Sequence, residues 1–430
     1  MIRKHLLSTV VCPALLVCAS SAMADDNDAF LTQTGDDNTS LILQSSGMGN
    51  TFGLAGLPGL QNGDHNELDV EQIGDNNEVG TQGAGFEQLN VNSSSRSNTA
   101  DITQSTSDNV VGEVFQRTGG TVPFFGPQSG NTLTILQDGG DGNILNAVTQ
   151  NRTFPLRRGN DADIQQSGND NFFDTIDQIG GNNSLTMVVT GDENGRERDL
   201  PGVGAPALAM ATFSDLSGAT VNQIRQLGEG NSADIDIDGN WNLIGLNQDG
   251  AGNSADSIII DGNTNKLGVV QTGIDNDLAV SEILGNFNDV GVLQLGNDNT
   301  ASLTVDGGAN EFGIGQIGVD NSQTINVIGR QNGEGRTFND PTFADTQTAL
   351  DATGGLLPRG LSIQLGNDND IMHDVDGDRN VFAFAQVGNG NMIDGAQTGF
   401  TNMAAVVQFG PSNSTTFTQT GSFNALGVVQ

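Results

Sequence analysis

Fifty-two carboxylates, three histidines and a large number of side-chain amides are the groups in this chain that can do chemistry. Paired carboxylates act as acid, base or nucleophile in glycoside hydrolysis. Histidines act as bases and metal ligands. Amides do neither, but each donates and accepts hydrogen bonds at once. Spacing decides among them. His65 and His373 stand far apart. Aspartates recur at equivalent places (Asp36, Asp37, Asp75, Asp275, Asp298, Asp320, Asp368) and do not gather into one privileged pair. Asp138-Gly-Gly-Asp-Gly142-Asn143 resembles a calcium-binding turn, yet the nonapeptide that such turns need does not repeat. The residues therefore predict no catalytic group, no metal site, no cofactor and no enzyme. Trp241, Phe172, Phe173, Phe124 and Phe125 read as packing or loop anchors.

The amides hold a strict frame. Q-x-G-x-x-N occurs in fifteen copies, beginning at Gln33, Gln61, Gln72, Gln166, Gln178, Gln226, Gln248, Gln271, Gln294, Gln316, Gln364, Gln386, Gln397, Gln408 and Gln419. Successive copies repeatedly fall 11 residues apart, sometimes 12. Between the perfect copies lie others with an aliphatic residue in the Gln place: Ile237, Ile260, Ile283, Val305, Val327 and Val375. Segment 226–332 alternates the two kinds, so the unit is about 22 residues with two arms of 11. One column then collects Gln226, Gln248, Gln271, Gln294, Gln316, Gln364, Gln386 and Gln408, and a second collects Ile237, Ile260, Ile283, Val305 and Val327. A single reaction centre has no use for so many copies; a stack, whose repeats must all meet alike, does.

The segments between the motifs supply the elements. Asn231-Ser-Ala233-Asp-Ile235-Asp-Ile237 and Asn299-Thr-Ala301-Ser-Leu303-Thr-Val305 alternate inward and outward residues with period two, which is a strand. The Gly and Asn that follow make the corner: Gly228 and Asn231, Gly250 and Asn253, Gly273 and Asn276, Gly296 and Asn299, Gly318 and Asn321. Corner aspartates are expected to bond their own backbone and stay wet. A buried amide is costly unless paired. In parallel strands about 4.8 Å apart it can pair with the equivalent amide above and below. The expected fold is all-β: a β-solenoid of stacked strand-turn-strand units, with at least eleven coils. Interruptions near 51–60, 117–130, 151–159, 195–220 and 333–360 read as loops leaving the stack, and they hold most of the prolines.

Residues 1–24 read as a signal peptide: Arg3 and Lys4, an apolar run from Leu6 to Val17, and Ala22-Met23-Ala24 with cleavage after Ala24. Residues 25–430 are then one repeat domain. Both cysteines, Cys12 and Cys18, fall in the leader, so no disulfide is expected in the rest. No other apolar run approaches the roughly 20 residues of a membrane span. The formal charge of -37 excludes nucleic acid and anionic membrane surfaces as partners. The same charge, stacked at strand spacing, should make assembly faster in salt or divalent cations.

Asn27-Asp-Ala29-Phe-Leu31-Thr-Gln33 and Ala425-Leu-Gly-Val-Val-Gln430 are both strand-like, so neither end is expected to be capped and each is expected to template a further copy. On Gln226, Gly228, Asn231, Ala233 and Gln248, and again on Gln294, Gly296, Asn299, Ala301 and Gln316, the sequence resembles the curlin repeats of curli fibre subunits from Gram-negative bacteria. The resemblance covers nearly all of residues 27–430. It implies a secreted functional amyloid at the cell surface, used for adhesion and biofilm matrix. Its implied partners are further copies of itself, a homologous nucleator or fibre subunit, and an outer-membrane secretion pore of the curli type. The chain departs from typical subunits in its length, its insertions, its lack of Tyr and its aliphatic arm. The competing reading is a monomeric β-solenoid adhesin or binding module.

Overall fold

The computed structural model describes residues 26–91, 98–119, 130–152, 158–196, 222–333 and 359–430. The leader with Ala24 lies outside them, as do most of the insertions. Every regular element among the described residues is a strand. The strands form two sheets, one of 18 and one of 14. The chain crosses from one sheet to the other at each corner. Gln223–Glu229 lies in the first sheet, Ser232–Asp238 in the second, Leu243–Ala251 in the first and Ser254–Asp261 in the second. Each strand pairs in parallel with the strand one coil later, as 223–229 does with 243–251 and 232–238 with 254–261.

Three rungs at the start of the first sheet are split into two short strands each: Asp28–Ala29 with Leu31–Thr34, Thr51–Phe52 with Gly59–Asn62, and Glu78–Val79 with Phe86–Asn90. The first sheet thus has fifteen rungs, more than the eleven coils the perfect motifs imply. Register is kept across the insertions: Gln178 faces Gln226 and Gln316 faces Gln364, each across 48 residues of chain.

The core lies between the sheets and follows the period-two pattern. In Ser232–Asp238 the side chains of Ala233, Ile235 and Ile237 are buried and those of Asp234, Asp236 and Asp238 face out. Removing each aliphatic side chain from water contributes about 1.5–3 kcal/mol. Phe52, Phe86, Phe173, Phe312, Phe382 and Phe384 fill wider parts of the same core. Several strands of the first sheet depart from the alternation, Leu243–Ala251 and Glu311–Val319 among them. Val381–Val387 and Met403–Phe409 are buried on both faces, and Leu361, Ala383, Ala385, Ala405 and Val407 make a separate apolar cluster. Their uninterrupted apolar runs are of the kind that parallel strands covered on both sides carry.

One expected loop is corrected. Segment 51–60 does not leave the stack: Thr51–Phe52 pairs with the coils before and after it, and Gly59–Asn62 does the same. Phe52 is fully buried, and only a tight turn closed by Leu54 and Leu57 protrudes. The apolar Phe52 anchors what the missing motif suggests is free. Likewise the strands Val110–Thr118 and Ile144–Arg152 run into the segments read as loops at 117–130 and 151–159.

Candidate functional site

The amide columns form inside the stack. Gln33, Gln61, Gln88, Gln116, Gln150, Gln178, Gln226, Gln248, Gln271, Gln294, Gln316, Gln364, Gln386, Gln408 and Gln430 follow one another in the first sheet. Each Nε2 donates to the Oε1 of the next, from Gln33 to Gln61 at 2.6 Å through Gln271 to Gln294 at 2.9 Å to Gln408 to Gln430 at 3.1 Å. The ladder has no gap. The other Nε2 hydrogen points to backbone carbonyls near the corner: that of Gln294 reaches Asp277 O and Asn299 O, both at 2.9 Å. Each such bond is worth about 1 kcal/mol net, but removing one partner strands a buried group at about 1–3 kcal/mol.

Asparagines at the corners run the opposite way. The backbone N–H and Nδ2 of Asn276 both donate to Oδ1 of Asn253, and Nδ2 also donates to Gly296 O at 2.8 Å. Asn231 and Asn253, and Asn299 and Asn321, repeat the arrangement. Gly228, Gly250, Gly273, Gly296 and Gly318 form the adjoining column. At Gly273 (φ 125°) a Cβ would fall 1.8 Å from the carbonyl oxygen of Gly296, so the close approach as well as the backbone angle requires glycine. The corner carboxylates and amides differ from expectation. Where such bonds form they accept from the backbone N–H of the coil before, as Asp75 does from Met48 N. Asp64 accepts from Asp36 N, Asn263 from Asn240 N, Asn286 from Asn263 N and Asn367 from Val319 N. In a stack, the nearest unpaired donor belongs to the neighbouring coil.

The second sheet carries a column of three blocks. Gln44, Gln72, Gln104, Gln137 and Gln166 are linked by hydrogen bonds; Val189, Ile237, Ile260, Ile283, Val305, Val327 and Val375 follow; Gln397 and Gln419 close it. The Q-x-G-x-x-N motif leaves out Gln44, Gln88, Gln104, Gln116, Gln137 and Gln150 of these ladders. In three of these the glycine place holds Thr106, Thr118 or Arg152, and after Gln137 the corner is one residue longer. The signal that finds them is the strand pattern before the Gln, as in Asn98-Thr-Ala100-Asp-Ile102-Thr-Gln104.

Where the aliphatic block ends, His373 completes the ladder. It is fully buried against Phe382, Phe384 and Phe417. Its Nε2 lies 3.2 Å from Gln397 Oε1, the acceptor that Val375 cannot serve, and its Nδ1 lies 3.2 Å from Gly395 O. Burial pushes its pKa down to about 4, so at neutral pH the ring is uncharged and its single N–H donates to only one of these two oxygens. His65 by contrast is an exposed corner residue with Asp37 at 3.6 Å. Two outward carboxylates are raised above the ordinary range: Asp236 by desolvation and by Asp238, Asp234 and Asp261, and Asp101 by desolvation and by Asp69. Among the described residues no cluster of three or more His, Cys, Asp or Glu is placed to hold a metal ion, and no helix is long and apolar enough to cross a membrane.

The outermost described rungs expose what the interior hides. Leu31 and Ile42 at one end, and Phe417, Leu426 and Val428 at the other, pack on the core yet are only partly buried. The bond directions make the two faces complementary. At the first, Gln33 and Gln44 point their Oε1 acceptors outward; at the last, Gln419 and Gln430 lack a further glutamine to donate to. Residues 24–55 match the family described as Curlin associated repeat. None of the curated proteins compared matches this sequence.

Proposed function

We propose, for a chain that belongs to the curlin-repeat family, that it is a secreted structural subunit building extracellular fibres by stacking strand edge on strand edge. The observation that carries this reading is the polar, gapless glutamine ladder with half-covered core residues at both described ends. A second copy laid on the last rung meets Gln acceptors where donors are exposed and Asn donors where acceptors are exposed. The contact is head-to-tail and does not close on itself, so it propagates. Backbone edges add the remaining bonds. Adhesion and biofilm matrix are the roles such fibres serve, and a homologous nucleator and a dedicated outer-membrane pore are the partners that go with them.

Seeded thioflavin kinetics test the proposal. Purified mature protein should assemble after a lag, and sonicated fibres should abolish that lag. Added salt should shorten the unseeded lag, because outward carboxylates crowd one another within a coil and between coils, as Asp234, Asp236 and Asp238 do with Asp261 of the next coil. A β-rich monomer that ignores seeds at any ionic strength would leave the monomeric binding module as the better reading.

A further inference from the structure

The two corners of the solenoid differ in a way the fold does not require. At both, the residue before the capping Asn takes a left-handed backbone, where side chains other than Gly, Asn and Asp are disfavoured. At the corner leading from the first sheet to the second, coils 230–412 keep suitable residues in all but the last place: Gly230, Gly252, Asp275, Asp298, Asp320, Asp368 and Gly390, with Ser412 at the end. At the opposite corner the same place holds Trp241 (φ 64°), Phe287 (φ 62°), Arg379 (φ 58°) and Phe423 (φ 59°). Earlier coils of that corner have Gly49, Asn76, Asp108, Gly142 and Asp170 there. Exceptions among the earlier coils are Glu193 (φ 56°) at this corner and His65 (φ 62°) at the other. From Trp241 onward, with Thr264, Ala309, Gln331 and Thr401 in the remaining places, this edge keeps no Gly, Asn or Asp there, and three of its eight residues are large aromatics. Strain retained where the same fold offers a cheaper residue points to use.

This edge encloses a cleft of about 660 Å³. Gly307, Gly308 and Ala309 form a low coil between taller neighbours. Phe287, 45% exposed, stands on one side; Arg330, Gln331, Arg379 and Phe400 stand on the other. Arg379 is held in place: its guanidinium carbon lies 5.2 Å from the Phe400 ring centroid and its Nε donates to Gln331 Oε1 at 3.0 Å. Its terminal nitrogens remain free to fork onto a carboxylate. Asp378 also lines the cleft, with Oδ1 accepting from the Arg330 backbone N–H at 2.9 Å. Two guanidinium groups against one carboxylate leave the cleft positive on a chain of net charge -37.

We infer that this cleft binds an acidic oligosaccharide, its uronate carboxylates paired with Arg330 and Arg379 and a sugar ring laid against Phe287 over the Gly308–Ala309 floor. Aromatic walls suit the C–H faces of a pyranose, the planar guanidinium suits a carboxylate, and a cleft open along the corner admits a chain. The site is complete within one molecule, so it stands whether or not the protein forms fibres.

The test is fluorescence anisotropy with a labelled hexagalacturonate, a neutral hexaglucan as the second arm, and the full mature chain. The acidic hexamer should bind at least tenfold more tightly than the neutral one. Phe287→Asn and Arg379→Asn should each weaken it about tenfold while leaving the urea midpoint unchanged or higher, because Asn suits the backbone there. Arg379→Lys should be intermediate, retaining charge without the fork. Equal binding of both hexamers, no binding, or unaltered binding in the variants would overturn the inference. Variants that only reduce lateral bundling of fibres would overturn it as well, and would assign the cleft to contacts between copies.

Discussion

A buried glutamine is tolerable here because its partner is another glutamine one rung away. His373 shows what happens where that rule lapses, since it supplies Gln397 with the polar neighbour that Val375 cannot be. Its pKa is pushed down to about 4 in the fold, below the roughly 6.5 of a free imidazole. The unfolded chain therefore takes up the proton first, so this contribution to stability is present above pH 6.5 and is lost as pH falls towards 4. Acidification from pH 6.5 to 5 should loosen the last coils by about 2 kcal/mol at 1.36 kcal/mol per pH unit. Hydrogen exchange over residues 361–430 reads this directly. His373→Leu should abolish the acid effect, at about 1–3 kcal/mol for the one acceptor left without a donor. Protection that does not depend on pH in the parent protein would contradict the assignment. Gln226 to Gln408 are legible in the sequence because the full motif surrounds them. Gln104 and Gln116 are not, because Thr106 and Thr118 stand where glycine is expected, and only their strand pattern betrays them. His373 stands at an inward place of the alternation, between Ile371 and Val375, so its burial is readable from sequence; its pairing with Gln397 needs the coil above.

At the level of the elements, strands set the register and corners enforce it. The glycine column is the strictest part, because neighbouring corners touch backbone to backbone. Gly273→Ala places a Cβ against the Gly296 carbonyl, whereas a Cβ at Gly410 meets nothing within 4 Å although its φ is also positive. The conformational penalty alone is about 1–2 kcal/mol; Gly410→Ala should show little more than that in urea unfolding. Gly273→Ala should lose at least twice as much and open the stack locally. Equal losses would mean that the backbone angle, and not the stacking contact, explains the glycines. The sequence makes these corners plain, but not the fate of segment 51–60: its motif is broken, and the buried Phe52 together with strand pairing on either side of the turn holds it to the stack. Nor does it show that corner side chains bond across coils, since that depends on a neighbour 22 or more residues away.

The whole molecule is a rod whose two described faces carry opposite hydrogen-bonding character. Fifteen rungs at about 4.8 Å make it roughly 70 Å long. The period of 11 foretells the stack and its two unlike columns; the perfect motifs undercount the coils because the degenerate corners between residues 79 and 160 hide three of the rungs, and the rung of Gln430 has no motif after it. Charge of -37 spread along such a rod opposes assembly, while the amide ladder and the half-covered end rungs favour it. Helical reconstruction of fibres by electron cryomicroscopy tests the central claim most directly. The account predicts a parallel strand ladder rising about 4.8 Å per rung without interruption from one molecule into the next, with the glutamine column continuous through every junction and the insertions recurring about every 70 Å. Fibres in which the ladder stops at each molecular boundary, so that subunits touch through corners or sheet faces, would contradict it.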